Sequence, residues 1–186
     1  MFSLIKDILG SGGKLPVTLS DCRTVNNWST RFSEGDTKVC STDVSDKPRY
    51  VITDSHQERY AVYTESLSSC LGVLLFEESG QKAVAGLAHV MPTESGLVST
   101  MIKELDADYR PSRLNAVIAV GDDPDPGTFE NTVKLMLRAG NISKNRLKVV
   151  YGGPGKPYFM NQKGRGMTAS KIAYDTRRHD LNIGKD

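Results

Sequence analysis

The chain has 186 residues, with 24 Lys and Arg against 22 Asp and Glu, and a formal net charge of +2. Its length predicts one domain, with room for a short appendage and a core that needs no metal or disulfide. The balanced charge excludes nucleic-acid binding by bulk electrostatics. No apolar run reaches the roughly 20 residues that insertion into a membrane requires.

The chain contains three cysteines, Cys22, Cys40 and Cys70, an odd number that cannot all pair within one molecule. No two of them have the CxxC spacing of a zinc knuckle or a redox pair. The first residues also lack the apolar segment and cleavage site of a secretory signal. We therefore expect free thiols in a reducing cytosol, and the plainest interpretation of each one is a small buried hydrophobe.

The chain divides into two unequal parts. Residues 1–47 are rich in Ser, Thr, Asp and Gly and are weakly patterned, apart from a short strand-like run at 15–19. They predict an N-terminal extension, or an arm that is specific for a partner, ahead of a domain at 48–186.

From residue 48 onward, the pattern predicts strands first and then strands that alternate with helices. The predicted strands are 50–52, 60–64, 71–76, 83–91, 114–120 and 146–151, and the predicted helices are 97–105, 129–140 and 168–179. This order predicts an α/β or α+β sandwich, in which helices pack on a mixed, largely antiparallel sheet.

The runs 71–76 and 83–91 flank a turn at Ser79-Gly80 and predict a β-hairpin. A turn centred there places Cys70 and His89 opposite each other, with their Cβ atoms roughly 5 Å apart. An imidazole beside a thiol accepts its proton, and the resulting charge pair lowers the pKa of the cysteine. The alternative is a hydrogen-bonded core histidine beside an inert buried cysteine.

Three segments carry a resemblance to a known family. The sequence TESLSSC stands at 64–70, GLAHVMP at 86–92, and LKVVYGG at 147–153. Together they resemble the chemoreceptor glutamine deamidases known as CheD, over roughly residues 50–153. Ser68 replaces the glycine of the family's Gly-Ser-Cys, and this departure is similar to the Leu-Ser-x-Cys sequence of bacterial toxin deamidases.

The resemblance implies a nucleophile at Cys70, a general base at His89 and a third polar group at Thr64, which orients the imidazole. It implies conversion of a protein glutamine amide to a carboxylate with release of ammonia, without a cofactor or a metal. A thiolate that attacks a carboxamide and a water that cleaves the thioester agree with this chemistry. The plain alternative for Thr64 is an ordinary strand threonine.

Further residues near the predicted nucleophile and in two loops have candidate roles. The hydroxyls of Ser68 and Ser69, or the backbone amide of Cys70, are candidate oxyanion donors. Gly152 and Gly153 lack the spacing of a phosphate-binding loop and are interpreted as a wall of the site. The acidic loop 122–127 predicts a turn that caps the next helix, because it lacks the spacing of a calcium loop.

The expected partner is a protein that carries a target glutamine, either a chemoreceptor in chemotaxis or a host protein met by a bacterial effector. A regulatory protein is a further expected partner, and we expect a monomer. The expected location is the producer's cytosol, or a host cell reached without a secretory signal. Two alternatives remain open: a non-catalytic adaptor with a CheD-like fold, and an amidohydrolase that acts on asparagine or a small amide.

Overall fold

The computed structural model describes residues 17–18, 37–39, 49–67, 69–77, 83–94, 96–111, 113–121, 125–138, 142–143, 146–151 and 171–184. The strands in these ranges are β1 (Val17–Thr18), β2 (Thr37–Val39), β3 (Tyr50–Asp54), β4 (Ala61–Thr64), β5 (Leu71–Glu77), β6 (Val84–Val90), β7 (Asn115–Val120), β8 (Leu147–Tyr151), β9 (Lys171–Asp175) and β10 (Asp180–Gly184). The helices are α1 (Gly96–Asp108) and α2 (Pro126–Arg138).

The strands form two sheets. The larger has six strands in the order β1-β8-β7-β5-β6-β3, and the smaller has four in the order β10-β9-β4-β2. Antiparallel pairing joins β3 to β6, β6 to β5 and β5 to β7, whereas β8 runs parallel to both β7 and β1. In the smaller sheet, β2 runs parallel to β4, and the other pairs are antiparallel.

The larger sheet is the middle layer of the molecule. One face packs on α1 and α2 through an apolar cluster that includes Val73, Met101 and Val133. The opposite face packs on the smaller sheet through a second cluster that includes Leu74 and Tyr174. Because both faces are covered, β5 and β6 are apolar along nearly their whole length. The predicted α+β sandwich is confirmed.

The acidic loop before α2 caps that helix, as its sequence predicts. Asp125 Oδ2 accepts hydrogen bonds from Thr128 N at 2.6 Å and from Thr128 Oγ1 at 2.7 Å. Pro126 occupies the first helical position, where its missing N–H is not needed. These hydrogen bonds hold the pKa of Asp125 below its usual value.

The helix predicted over 168–179 is wrong. Within that range, Lys171–Asp175 is β9, which turns into β10 and hydrogen-bonds to β4 on its other side. Ile172 and Tyr174 are both fully buried against the larger sheet. The residues of β9 that pack on this sheet therefore repeat with the period of 2 that is typical of a strand. A short apolar run without caps does not distinguish a helix from an inner strand.

The predicted hairpin exists, but its register differs from the expectation. Leu71 pairs with Val90 and Gly72 with His89, so the midpoint lies between residues 80 and 81 rather than within Ser79-Gly80. His89 therefore faces Gly72 instead of Cys70. A shift of two residues preserves the face of the sheet, because side chains alternate with period 2.

Strands from the first 47 residues join both sheets. β1 pairs with β8 at one edge, and β2 pairs with β4 in the smaller sheet, where Val39 is fully buried. The boundary near residue 47 stays a prediction. Neither of the helices described above is both long and apolar enough to cross a membrane.

Candidate functional site

Three residues that the sequence analysis predicts to be catalytic are buried between the two sheets. Thr64 ends β4, His89 lies in β6, and Cys70 immediately precedes β5. They are 0%, 2% and 8% exposed, respectively. Cys70 and His89 share the face that packs on the smaller sheet, and Thr64 reaches this face from the opposite side. The fold thus brings Thr64 and His89 into hydrogen-bond contact and places Cys70 on the same face of the larger sheet as His89.

The Thr64 hydroxyl connects the imidazole to the backbone of β2. Its Oγ1 donates a hydrogen bond to the carbonyl oxygen of Val39 at 2.7 Å, and it lies 2.8 Å from Nδ1 of His89. A hydroxyl has one hydrogen, so the contact with His89 requires Nδ1–H as the donor. We therefore assign the tautomer in which Nδ1 carries the proton and Nε2 carries the lone pair.

The lone-pair nitrogen of His89 is buried, and it has no hydrogen-bond partner among the residues described here. Burial lowers the pKa of His89 from 6.5 to about 4, because the imidazolium would lose its hydration. The imidazole is therefore neutral near pH 7, with a buried and unprotonated Nε2. This is the state that a general base requires before it accepts a proton.

The thiol of Cys70 is also neutral at rest. Burial raises its pKa and the charge of Glu94 raises it further, while a hydrogen bond from the Ser69 side chain opposes them. The expectation of a lowered Cys70 pKa is therefore wrong, since burial outweighs the neighbouring hydroxyl. The thiol makes no hydrogen bond to Nε2 of His89. The site holds a neutral thiol and a neutral base rather than a preformed ion pair.

The backbone around Cys70 is tightly folded. Its N–H donates to the carbonyl oxygen of Leu67 at 2.6 Å, and its carbonyl accepts from Gly121 N at 3.3 Å. The amide of Cys70 is therefore already engaged and does not serve as a free oxyanion donor, which corrects that expectation. Ser66 adopts a left-handed conformation with φ of 59°, so the loop reverses just before the cysteine.

The remaining predicted positions are divided between the described and the undescribed parts of the chain. Ser69 is exposed beside the thiol, and its side chain contacts the thiol of Cys70. Ser68, Gly152 and Gly153 lie outside the described residues, as do Cys22 and Cys40. The roles proposed for Ser68, Gly152 and Gly153 stay predictions.

Gly72 allows close packing beside the imidazole. It is the partner of His89 across the hairpin, and a Cβ built there would lie 2.7 Å from Cγ2 of Ile172. The same Cβ would lie 3.1 Å from Cδ1 of Leu67. The missing side chain therefore lets β9 and the loop before Cys70 approach the sheet at this point.

An ion pair that the sequence did not reveal borders the site. Arg49 Nη1 and Glu94 Oε1 lie 2.9 Å apart, with side chains that are 25% and 27% exposed. The carbonyl of Arg49 accepts a hydrogen bond from His89 N at 2.9 Å, so the arginine sits beside the histidine. The pair is separated by 45 residues. Its only sequence signal is the position of Glu94 just after the GLAHVMP segment.

The polar groups described at the site are a hydroxyl, an imidazole, a thiol and a neighbouring ion pair. This set is suited to nucleophilic attack assisted by a general base. The described residues contain no group of three or more His, Cys, Asp or Glu residues arranged to hold an ion.

Comparison with known proteins yields distant structural likenesses without a match in sequence. No protein-family profile and no curated protein sequence matches the chain. Among solved structures, the chain is similar to the hypothetical protein YfiH of Bacillus licheniformis, with a TM-score of 0.42 and 14% identity. That likeness covers 78% of this chain and 67% of the other.

Proposed function

We propose that this protein is a cysteine-dependent protein glutamine deamidase, with Cys70 as nucleophile, His89 as general base and Thr64 as the residue that orients the base. The observation that carries the proposal is the hydrogen-bond chain from His89 Nδ1 through Thr64 Oγ1 to the Val39 carbonyl. This chain leaves Nε2 as an unprotonated nitrogen on the same face of the sheet as Cys70. A hydroxyl here has the role that a carboxylate or amide has in other triads.

The positions of Cys70 and His89 support proton transfer between them. The Cys70 carbonyl bonds to Gly121 N, which continues the pairing of β5 with β7 back by one residue. In the hairpin register, Cys70 is then the diagonal neighbour of His89, and such residues lie roughly 7–8 Å apart. A thiol and an imidazole extend across this span, so a substrate that enters the site can bring them into contact.

The first half of the reaction forms a thioester. Nε2 of His89 takes the thiol proton as the sulfur of Cys70 bonds to the carboxamide carbon, and the carbonyl oxygen becomes an oxyanion. The tetrahedral species then collapses, its C–N bond breaks, and the imidazolium returns the proton to the leaving nitrogen, which departs as ammonia. The neutral resting pair fits this sequence, because the proton moves only when the substrate is present.

The second half regenerates the enzyme. Nε2 of His89 takes a proton from water as its oxygen bonds to the thioester carbon. The C–S bond then breaks, and the sulfur regains a proton. The product is a glutamate side chain in place of glutamine. These steps need no cofactor, since each proton that His89 accepts is returned within the same half reaction.

The resemblance of segments 64–70 and 86–92 to the CheD family supports a glutamine on a protein as the substrate. A chemoreceptor and a host or partner protein are the two candidate substrates. The deamidation chemistry would be the same for both substrates. The enzyme surface that binds the target protein would differ.

The test is deamidation in water enriched in oxygen-18, with Cys70→Ser as the inactive variant. Targets are the cytoplasmic part of a chemoreceptor, an unfolded casein, and blocked glutamine and asparagine dipeptides. We expect wild type to convert glutamine to glutamate that carries the heavy oxygen, and Cys70→Ser and His89→Gln to give none. His56→Gln, which changes an exposed histidine, is the matched control and should retain activity.

Each other outcome points to a different function. Conversion of the asparagine dipeptide alone indicates the alternative amidohydrolase. Binding of a target without any conversion indicates the adaptor. Equal conversion by wild type and Cys70→Ser overturns the proposal, because the thiolate would then have no part in the reaction.

A further inference from the structure

One oxygen of the Glu94 carboxylate is buried and unused. Oε1 pairs with Arg49, whereas Oε2 has no hydrogen-bond partner among the described residues and no measurable exposure of its own. A buried carboxylate oxygen without a donor is costly, so such an atom calls for an explanation. The side chain as a whole is 27% exposed, so Glu94 lies at the boundary between the protein interior and solvent.

Arg49, one member of the ion pair, lies on the same face of the larger sheet as the candidate catalytic residues. Tyr50 pairs with Ala88, and the hydrogen bond from His89 N to the Arg49 carbonyl extends this register by one residue. Directly opposed residues direct their side chains to the same face, so Arg49 flanks His89 on the side away from Gly72.

Glu94 approaches the site from the thiol side. Its N–H donates to the carbonyl of Met91 at 3.1 Å, and Met91 is the next residue after Val90, the partner of Leu71. The turn therefore folds back over the end of the hairpin where Cys70 lies. The effect of the Glu94 charge on the thiol is a second indication that the two groups are close.

The carboxylate is held in place from two directions. Arg49 fixes Oε1 at 2.9 Å. The preceding residue, Thr93, has φ of 73°, and its N–H donates to Thr128 Oγ1 at 2.7 Å. The same Thr128 is bound by Asp125, the residue that caps α2. A helix cap thus anchors a strained turn, and the turn presents Glu94.

We propose that Oε2 of Glu94 accepts a hydrogen bond from the NH₂ group of the substrate carboxamide, which makes Glu94 a specificity-determining residue. This inference rests on the proposed function. A carboxamide offers two N–H donors where a carboxylate offers only lone pairs. The glutamine side chain therefore satisfies Oε2, and a glutamate side chain is repelled by it.

The same contact acts on the product. Deamidation replaces the NH₂ donor with a carboxylate oxygen at the position beside Oε2. Two carboxylates at close range repel each other in a partly buried site. The reaction itself thus converts an attractive contact into a repulsive one, and this promotes release of the product.

The test compares alkylation of Cys70 by iodoacetamide and by iodoacetate. In both reactions the thiolate sulfur bonds to the CH₂ carbon and iodide leaves, so the ratio of the two rates cancels the thiolate fraction. We expect wild type to favour iodoacetamide over iodoacetate at Cys70 by about tenfold more than a free thiol does, since one reagent supplies the donor and the other a charge. Mass mapping separates Cys70 from the other cysteines.

The key variant is Glu94→Gln. Arg49 retains the carbonyl oxygen of the new amide, so the NH₂ group takes the place of Oε2 and an acceptor becomes a donor. We expect the preference for iodoacetamide to fall by about tenfold or more. Glu94→Asp keeps the negative charge, but its carboxylate lies further from the substrate because the side chain is one methylene group shorter. If the hydrogen bond causes the preference for iodoacetamide, this variant should lose most of that preference.

Glu104→Gln is the matched control, because it removes a carboxylate that binds Tyr50. Tyr50 is the neighbour of Arg49 in the chain and packs against the helix-side core, so its side chain faces the other side of the sheet. An unchanged ratio in Glu94→Gln, or an equal fall in Glu104→Gln, overturns the inference. Retention of the full preference in Glu94→Asp also overturns it, because charge alone would then be sufficient. The deamidation assay with Cys70→Ser decides the proposed function separately, since alkylation needs no turnover.

Discussion

The two faces of the larger sheet differ in kind. The face toward α1 and α2 packs through an apolar cluster of aliphatic, methionine and phenylalanine side chains. The face toward the smaller sheet holds the buried Thr64, His89 and Cys70, with the Arg49–Glu94 pair beside them. Both faces also bury polar side chains, such as Thr128 and Thr132 of α2 on the helix side. Among the described residues, only the face toward the smaller sheet buries an imidazole and a thiol.

Strand β6 shows how one segment serves both faces. Ala88 and Val90 join the helix-side cluster, while Leu87 faces the smaller sheet together with His89. Alternation along the strand therefore separates stability from chemistry by a single residue. The imidazole lies on the face where a second sheet supplies its partner, the Thr64 hydroxyl. We therefore expect a loss of volume on the helix-side face to change stability alone, and a loss of the Thr64 hydroxyl on the other face to change the imidazole as well.

The largest expected effect on stability is at the helix-side face. Met101 is fully buried on α1, and its side chain lies against Gly86 in β6. Met101→Ala leaves a cavity and should lower the free energy of unfolding by roughly 2–5 kcal/mol. Urea denaturation measures the loss. The pKa of His89, followed by NMR in the folded variant, should stay where it is in wild type.

Lys103→Ala, an exposed position on the same helix, is the control and should change stability little. A large change in the His89 pKa of Met101→Ala would contradict the separation of the two faces.

The next largest expected effect is a dependence of stability on pH, which originates from His89 on the face toward the smaller sheet. His89 has a pKa of about 4 in the folded protein and 6.5 as its ordinary value. The unfolded chain therefore binds a proton more readily, and stability falls as pH drops from about 6.5 to about 4. The full difference corresponds to roughly 3 kcal/mol. Urea denaturation at a series of pH values measures this slope.

His89→Gln should flatten this part of the pH profile, because the titrating group is removed, while His179→Gln changes an exposed histidine and should leave it as in wild type. A profile that is equally steep in His89→Gln assigns the slope to other groups and contradicts the prediction.

The smallest effect on stability is expected from Thr64→Val, which has nearly the same shape but lacks the hydroxyl. The carbonyl of Val39 and Nδ1 of His89 both lose their partner, at a cost of about 2 kcal/mol. The tautomer is then no longer fixed. Nitrogen-15 NMR of the imidazole should show Nδ1 protonated in wild type and a mixture of tautomers in the variant.

Thr64→Ser retains the hydroxyl and should keep the wild-type tautomer. If Thr64→Val also keeps Nδ1 protonated, the hydroxyl does not determine the tautomer, and its role beside His89 is only to fill space.

Strong local patterns made much of this fold predictable. The apolar runs that became β5 and β6 are bounded by polar turns, and the face of α2 repeats with helical period up to its end. The sequence singles out Thr64, Cys70 and His89 as candidates because a thiol and an imidazole flank a hairpin and the hydroxyl stands in the segment that carries the resemblance. Local sequence is sufficient to predict which residues lie near each other when they and the turn belong to one hairpin.

The features that were missed depend on pairing between distant strands. The ion pair of Arg49 and Glu94 exists because β3 adds to β6, and no periodicity reports which strand takes that edge. The register of the hairpin depends on where the turn between β5 and β6 is centred, and the residues at 79–81 do not determine that centre to within one residue. The pattern over 168–179 predicts a helix, because Ile172 and Tyr174 become inner-strand residues only through the pairing of β9 with the distant β4.

The bond between Thr64 and the Val39 carbonyl has a consequence for where the functional unit begins. A shorter chain that starts at residue 48 keeps the thiol, the imidazole and the hydroxyl, but it loses this carbonyl. The hydroxyl hydrogen is then free to turn toward Nδ1, and the ring proton moves to Nε2. The base would become a donor without a single change among the three side chains. The proposed site therefore has a fourth member, the backbone carbonyl of Val39 in β2.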